Sequence, residues 1–168
     1  AKVYSLIEID ITRGNLDPLP IAVSPLFQDD SSKRNSINEL KIENIGSEIS
    51  LVVENNLKIS GLFNPLSKEA FLQKPDIAHL KPRFEDWALI KAQALITGKV
   101  TIEDKKLKVE FRLWDILAGR EMMALAFTTV PSNWRRVGHI ISDKVYERLT
   151  GEKGYFDTRI IYVSEEGP

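Results

Sequence analysis

The sequence contains no cysteine and only two histidines among its 168 residues. The absence of cysteine excludes disulfide bonds, thiolate nucleophiles and zinc sites built from cysteine. Basic and acidic residues almost cancel, 23 against 24, so the chain lacks the charge excess that attracts nucleic acid or an anionic membrane. No apolar run approaches the roughly 20 residues needed to cross a bilayer. We therefore expect neither a nucleic-acid partner nor membrane insertion.

Motifs for catalysis and nucleotide binding are also missing. The chain has no G-x-S-x-G sequence, no P-loop and no dinucleotide fingerprint. His139 and Asp143 are four residues apart, a helical spacing that could serve a metal or a His-carboxylate pair, but two side chains do not make a site. A hydrolase using them would need a nucleophile that the spacing does not support. We expect no catalytic residue, no metal site and no cofactor.

The composition is that of an ordinary globular domain, with 43% hydrophobic and 28% charged residues. A chain of this length can bury about 70% of its unfolded surface, which is enough for one independent core. It has no initiator methionine and no charged-then-apolar leader, as expected of a chain that begins at a mature terminus or was trimmed. We expect a single domain.

Two long helices are predicted from apolar residues at helical spacing. The clearer one lies between Pro131 and Gly151: proline and serine suit its first turn, and glycine is placed to end it. Its apolar stripe consists of Val137, Ile140, Ile141, Val145 and Leu149. The other helix covers residues 45–60 and ends at Gly61.

Period-two alternation predicts the strands. Residues 3–11 form a first strand and residues 21–23 a second, which lies parallel to residues 62–63 through a right-handed crossover. Residues 94–113 form a hairpin around Asp104 and Lys105. Residues 122–130 are apolar on both faces, which is typical of a central or doubly covered strand.

The polar residues 28–44 predict a mobile connection over at least their first half, because aspartate, serine and asparagine dominate there. Together the patterns predict an α+β fold, in which two long helices pack on a mixed sheet of about five to six strands.

The residues from Lys144 to Val163, KVYERLTGEKGYFDTRIIYV, resemble the junction between the two domains of the TolB family, periplasmic components of the Tol-Pal system of Gram-negative bacteria. The phrase SGLFNPL from Ser60 to Leu66 is similar to that family too. In the family an N-terminal α/β domain precedes a six-bladed β-propeller. The resemblance implies that residues 1–153 are the N-terminal domain and residues 154–168 the linker and start of the propeller, with Tyr155, Phe156 and Arg159 at the interdomain junction.

The same resemblance implies a non-enzymatic periplasmic adaptor. Members of the family link the inner-membrane protein TolA to the lipoprotein Pal and help maintain the outer membrane and cell division. TolA recognises the N-terminal segment, whereas Pal docks mainly on the propeller. Carried over by position, the TolA-binding residues are Lys2, Val3, Tyr4, Ser5, Leu6, Ile7, Glu8, Ile9, Asp10 and Ile11.

Two interpretations of that segment remain open. A terminal strand that detaches from its own domain can add to the sheet edge of a partner, which is β-augmentation. The other interpretation is a strand held permanently in the core by three isoleucines, each of which contributes about 1.5–3 kcal/mol when buried.

A second class of protein fits part of the pattern. A strand, a polar loop, a long helix and then Gly-x-Phe also resemble envelope lipoproteins related to curli-secretion and synthase-activating lipoproteins, which would make the chain a ligand-binding or regulatory domain. The sequence from Gly154 to Val163 argues against this alternative. Propeller repeats of about 40 residues beyond residue 168 would be expected only in the TolB family.

Overall fold

The computed structural model describes residues 7–12 and 17–157, whose strands form one mixed sheet. The strands are β1 (Leu19–Val23), β2 (Phe63–Pro65), β3 (Ala94–Glu103), β4 (Lys106–Asp115) and β5 (Arg120–Thr129). Their order in the sheet is β2-β1-β3-β4-β5. Strand β1 pairs in parallel with β2 and β3, and β3, β4 and β5 pair antiparallel. The predicted parallel pairing of β1 with β2 and the β3-β4 hairpin are both confirmed.

Five helices accompany this sheet within the described ranges: α1 (Asp30–Leu40), α2 (Ile45–Ile59), α3 (Pro75–Ala78), α4 (Phe84–Leu89) and α5 (Trp134–Thr150). The long helices α2 and α5 correspond to the two predicted ones, which confirms the α+β architecture. A 3-10 turn at Pro131–Asn133 precedes α5 and Ser132 makes no side-chain cap, but Gly151 ends α5 as predicted, at a φ of 78°. None of the helices in the described ranges is long and apolar enough to cross a bilayer.

Each face of the sheet buries its own apolar cluster. On one face, Ile96, Val100 and alternate β4 residues pack against α2 and α5. On the other face, Trp87 of α4 packs against Leu95 and Trp114. Helices α2 and α5 cross closely at Gly138, where an added Cβ would lie 2.6 Å from Cγ1 of Val52. Glycine is required there because the two helices leave no space for a side chain.

The prediction of a mobile connection over residues 28–44 is wrong, because most of that range forms α1. Asp29 caps this helix by accepting a hydrogen bond from the Ser32 backbone N–H at 2.8 Å. The hydroxyl of buried Ser32 accepts from the backbone N–H of Ile102 in β3, and the Asn35 side chain donates to the carbonyl of the same residue at 2.7 Å. The polar side chains that suggested a solvated loop therefore join the helix to β3.

The prediction of a central strand at residues 122–130 is wrong as well. These residues fall in β5, which lies at the edge of the sheet beside β4. Most of its side chains are exposed or half-buried. Alanine and methionine made the segment look apolar on both faces, but among the described residues one edge of β5 has no neighbouring strand.

The predicted strand over residues 3–11 is wrong for the part that the structure describes. Residues 7–10 have no regular secondary structure, and residues 11 and 12 form a turn. The reason is that the backbone N–H groups of Ile7 and Ile9 donate to Asp115 and Leu149, which are not sheet neighbours of the segment. Residues 3–6 lie outside the described residues.

Candidate functional site

The N-terminal segment, defined here as residues 7–11, docks on the end of β4 and the last turn of α5. The Ile7 N–H donates to Oδ2 of Asp115 at 2.9 Å, and the Ile9 N–H donates to the Leu149 carbonyl at 2.6 Å. The Leu149 carbonyl belongs to the last turn of α5, where carbonyl groups have no partner within the helix. The segment is therefore attached to the domain through one side-chain and one backbone acceptor.

Asp115 is the polar centre of this docking site. Its side chain is buried, and its Oδ1 also accepts from the Ala118 N–H at 2.9 Å in the turn after β4. A buried carboxylate needs hydrogen bonds to offset the loss of water, and each of its oxygens here has a backbone donor. Asp115 thus couples the turn that leads into β5 to the position of the N-terminal segment.

The isoleucine side chains supply the apolar part of the docking. Ile9 is 9% exposed within the main core cluster, and Ile7 and Ile11 pack against that cluster while remaining partly exposed. Burial of Ile9 contributes about 2–3 kcal/mol and the two partly buried isoleucines about 1 kcal/mol each. The hydrogen bond to the carboxylate adds about 2 kcal/mol and the one to the carbonyl about 1 kcal/mol.

Ordering the backbone of the segment opposes these contributions. Five residues at about 1–2 kcal/mol each cost about 5–10 kcal/mol, against a total gain of about 7–8 kcal/mol. The two sums agree to within a few kcal/mol. On this bookkeeping the docking of residues 7–11 is close to balanced, and we infer that its release requires little energy.

The other predicted partner-binding residues fall into two groups. Glu8 is exposed, and Oδ1 of Asp10 accepts from the Thr12 N–H at 3.0 Å and from the Thr12 hydroxyl at 2.6 Å. These bonds form a local turn at the end of the segment. The remaining residues, Lys2, Val3, Tyr4, Ser5 and Leu6, lie outside the described residues.

A second candidate site is the C-terminal junction, defined here as residues 151–157, which folds back along α5. The rings of Tyr155 and Phe156 meet Tyr146 edge-on, with centroids 5.4 Å and 5.8 Å away. Burial, and then the neighbouring Tyr155 and Glu152, raise the pKa of Tyr146. The structure thus brings two of the three predicted junction residues together, and the third, Arg159, lies outside the described residues.

Acidic side chains of α5 fix the backbone of this junction. Asp143 accepts from the N–H groups of Phe156 at 2.7 Å and Asp157 at 3.2 Å, and Glu147 accepts from the Gly154 N–H at 2.9 Å. An added Cβ at Gly154 would lie 2.5 Å from Oδ1 of Asp143, so only glycine permits this close approach. The junction is held by hydrogen bonds as well as by its aromatic rings.

His139 and Asp143 do not form the pair that their spacing allowed. Nδ1 of His139 lies 2.9 Å from Nδ2 of Asn56, which also donates to the Ser142 hydroxyl at 3.1 Å. Asp143 instead binds the junction backbone. Within the described ranges, no three histidine, cysteine or acidic side chains are placed to hold a metal ion. The His139 contact therefore joins α5 to α2, which is a structural role.

Sequence reasoning missed Asp115, although a signal was present. Residues 107, 109, 111 and 113 predict the buried face of a strand, and position 115 continues that alternation with an acidic residue. A charge at a position expected to be apolar marks a buried group that must have specific partners. Of those partners, Ile7 is 108 positions away in the sequence and Ala118 lies in the turn after β4, so both could be found only in the fold.

Known proteins show which family the chain belongs to. A family model described as the TolB amino-terminal domain matches residues 7–122, which is more than half of the chain. The chain belongs to the TolB family. This confirms the resemblance to the TolB family, and it disfavours the envelope-lipoprotein alternative.

Individual relatives agree with this assignment. The Tol-Pal system protein TolB of Pelagibacter ubique (strain HTCC1062) is 79% identical over 167 residues, which cover 99% of this chain but only 37% of that relative. The crystal structure of TolB from Acinetobacter baumannii superposes with a TM-score of 0.66 at 22% identity, covering 84% of this chain and 30% of that one. The hypothetical protein CT253 from Chlamydia trachomatis gives a TM-score of 0.59 at 13% identity, covering 81% and 100% of the two chains. The last two likenesses show a shared fold alone.

Proposed function

We propose that the chain acts in the periplasm as a non-enzymatic component of the Tol-Pal system that binds TolA through Lys2–Ile11. Membership of the TolB family supports the periplasmic Tol-Pal role. The observation behind TolA binding is the way residues 7–11 are attached: they form no strand, and the backbone N–H groups of Ile7 and Ile9 donate to Asp115 and Leu149. A segment that releases easily can offer its backbone to a partner.

The mechanism is β-augmentation. On release, Ile7, Ile9 and Ile11 alternate with polar residues as in a half-buried strand, and the backbone groups become free to pair with the edge of a partner's sheet. Main-chain hydrogen bonds then give affinity, and the isoleucines give register. In this mechanism the docked form is a resting state rather than a permanent part of the core.

The rest of the proposed adaptor depends on a second domain. The chain spans 37% of the length of its Pelagibacter relative. On the family resemblance, we assign Pal binding mainly to a propeller outside residues 1–168. Residues 1–153 would form the N-terminal domain, and residues 154–168 would lead into the propeller with Tyr155, Phe156 and Arg159 at the junction. Outer-membrane integrity and cell division are the processes in which this adaptor would act.

Deletion of residues 2–11 tests TolA binding. We expect calorimetry against the C-terminal domain of TolA to show loss of binding, with circular dichroism confirming that the remaining chain is folded. The matched control is Leu89→Ser on α4, which changes an exposed leucine away from the N-terminal segment and should leave binding intact. Unchanged affinity in a folded deletion variant would show that TolA binds elsewhere.

The non-enzymatic assignment has its own test. We expect no turnover above background on ester, peptide or phosphoester substrates. Turnover that His139→Ala abolishes would contradict it.

A further inference from the structure

The carboxyl end of β1 lies where the two parallel connections of the sheet diverge. The connection from β1 to β2 carries α1 and α2, and the connection from β2 to β3 carries α3 and α4. Helix α2 packs in the cluster on one face of the sheet, and α4 packs in the cluster on the other. Because β2 and β3 flank β1 on opposite sides, the winding of the chain reverses at this strand. Ligands of open α/β sheets bind at such a point, outside the carboxyl ends of the strands.

A crevice of about 380 Å³ opens at this end of β1, which is within the size range of small-molecule sites. Its lining consists of residues that follow β1, residues at the start of α2 and residues around the start of α3, with one side chain from α1. The crevice lies at the opposite end of β1 from residues 13–16, and three positions along the sheet from β5. It shares no lining residue with the N-terminal segment or with the C-terminal junction.

The lining contains a buried amide with an unused donor. Gln28 is 3% exposed, and its Oε1 accepts from the Gly46 N–H at 3.0 Å, which fixes the oxygen end of the amide. The next N–H of α2, that of Ser47, donates to Asn44. Nε2 of Gln28 is buried as well and has no acceptor among the residues that the structure describes. Buried donors in native proteins almost always have an acceptor, so the acceptor here comes from outside the chain.

Two lysines make an anion the favoured source of that acceptor. Lys33 of α1 is half-buried, Lys74 before α3 is exposed, and neither forms an ion pair within residues 7–12 and 17–157. The positive end of the α2 dipole adds to their charge. Asp76, which is exposed, is the one acidic side chain of the lining. Nε2 of Gln28 is covered, so a ligand reaches it by displacing a flexible side chain such as a lysine.

We propose that this crevice binds a small ligand that bears a phosphate group, with the phosphate between Lys33 and Lys74 and accepting from Nε2 of Gln28. A phosphate carries a charge of about −1.5 to −2 at pH 7. That charge matches two cations and a helix dipole better than the single charge of a carboxylate does, and lysine is a common ligand of phosphate. Helix α2 contributes its dipole rather than its Gly46 and Ser47 N–H groups, which already have acceptors.

Titration of the chain with inorganic phosphate at constant ionic strength, followed by ¹H-¹⁵N NMR, tests the proposal. We expect the side-chain amide resonances of Gln28 to shift and to saturate with a Kd of about 1 mM. A second titration with glycerol 3-phosphate distinguishes free phosphate from a phosphate monoester, because only tighter binding of the ester would mean that the crevice also holds the rest of the ligand. Acetate should bind at least about tenfold more weakly than phosphate.

Charge variants test which residues hold the phosphate. Lys33→Ala and Lys74→Ala should each weaken binding about three- to tenfold, and Asp76→Asn should tighten it about two- to threefold. Gln28→Glu keeps an acceptor for α2 but replaces the donor with a negative charge, so binding should be lost. The matched control is Lys58→Ala, which removes an exposed lysine from the opposite end of α2 and should bind phosphate like the wild type.

The lysine variants keep the proposal testable if Gln28→Glu does not fold. A wild-type chain whose Gln28 resonances show no saturable shift would overturn the proposal. Equal weakening by Lys58→Ala and Lys33→Ala would also overturn it, because phosphate would then respond only to net charge. Acetate binding as tight as that of phosphate would overturn the assignment of a phosphate group.

Discussion

Asp115→Asn should release the N-terminal segment without altering any residue of the segment itself. The carboxylate uses one oxygen for the Ile7 N–H and the other for the Ala118 N–H. Asparagine keeps one oxygen and replaces the other with a donor, so one of the two N–H groups loses its acceptor. The Ala118 N–H is only three residues from Asp115, so the turn keeps it beside the remaining oxygen. The Ile7 N–H, which comes from a distant part of the chain, therefore loses its partner.

The size of the effect follows from the strength of that bond. A hydrogen bond to a charged group contributes about 2 kcal/mol, which corresponds to a shift of about thirtyfold in the docking equilibrium. Because the docking free energy is close to zero, the substitution should move the population from mixed to almost entirely released. Affinity for the C-terminal domain of TolA should then rise about two- to tenfold, since less of the chain occupies the docked form.

Hydrogen exchange and calorimetry together measure this effect. A segment that is docked about half of the time is protected about twofold, so we expect exchange at the amides of Ile7 and Ile9 to become about twofold faster, and calorimetry to show the tighter binding. A double-mutant cycle controls for damage to the turn: in a chain that lacks residues 1–8, Asp115→Asn should change the free energy of unfolding only by the share that Ala118 contributes. Unchanged protection at Ile9, or weaker TolA binding by a folded variant, would refute the reasoning.

Three further predictions concern stability. Gly138→Ala should lower the free energy of unfolding by about 1–3 kcal/mol, measured in urea, because the new methyl group overlaps Val52 at the helix crossing. Asp143→Asn should leave α5 folded but speed exchange at the Phe156 amide, whereas an unchanged rate would mean that the rings alone hold the junction. Burial, and then the charge of Lys99, lower the pKa of His79 below 6.5. The stabilising contribution of neutral His79 is therefore present above pH 6.5 and is lost as the pH falls through the lowered pKa. His79→Phe should remove that part of the pH dependence of the free energy of unfolding.

The elements with strong periodicity could be predicted from the sequence. Helices α2 and α5 and the β3-β4 hairpin follow their apolar patterns, because each buries one continuous face. Helix α1 could not be predicted in this way, since its contacts with β3 depend on the hydroxyl of Ser32 and the amide of Asn35. Polar residues indicate a loop unless the fold supplies partners for them.

The candidate sites show the same limit. The aromatic residues of the junction could be placed beside the end of α5 from their position in the chain. The docking of the N-terminal segment could not be predicted, because the alternation of its isoleucines is equally compatible with a paired strand. Only the fold reveals that Asp115 and Leu149 accept its hydrogen bonds, and those two residues are more than 30 positions apart in the sequence.

The backward course of the junction has a mechanical consequence. Asp157 forms an ion pair with Arg136 in the first turn of α5, at 3.2 Å, although the helix ends at Thr150. The Asp157 N–H also donates to Asp143, which lies seven residues before Thr150, so the backbone has returned about 10 Å along the helix axis, and the long side chain of Arg136 spans the remaining distance. A body attached after Asp157 would pull on the flank of α5 near Asp143, in the middle of the helix, and the turn at Gly151 would not act as a free hinge. Force applied there would act along the side of α5. The hydrogen bonds that Asp143 and Glu147 accept from the junction backbone would bear that force.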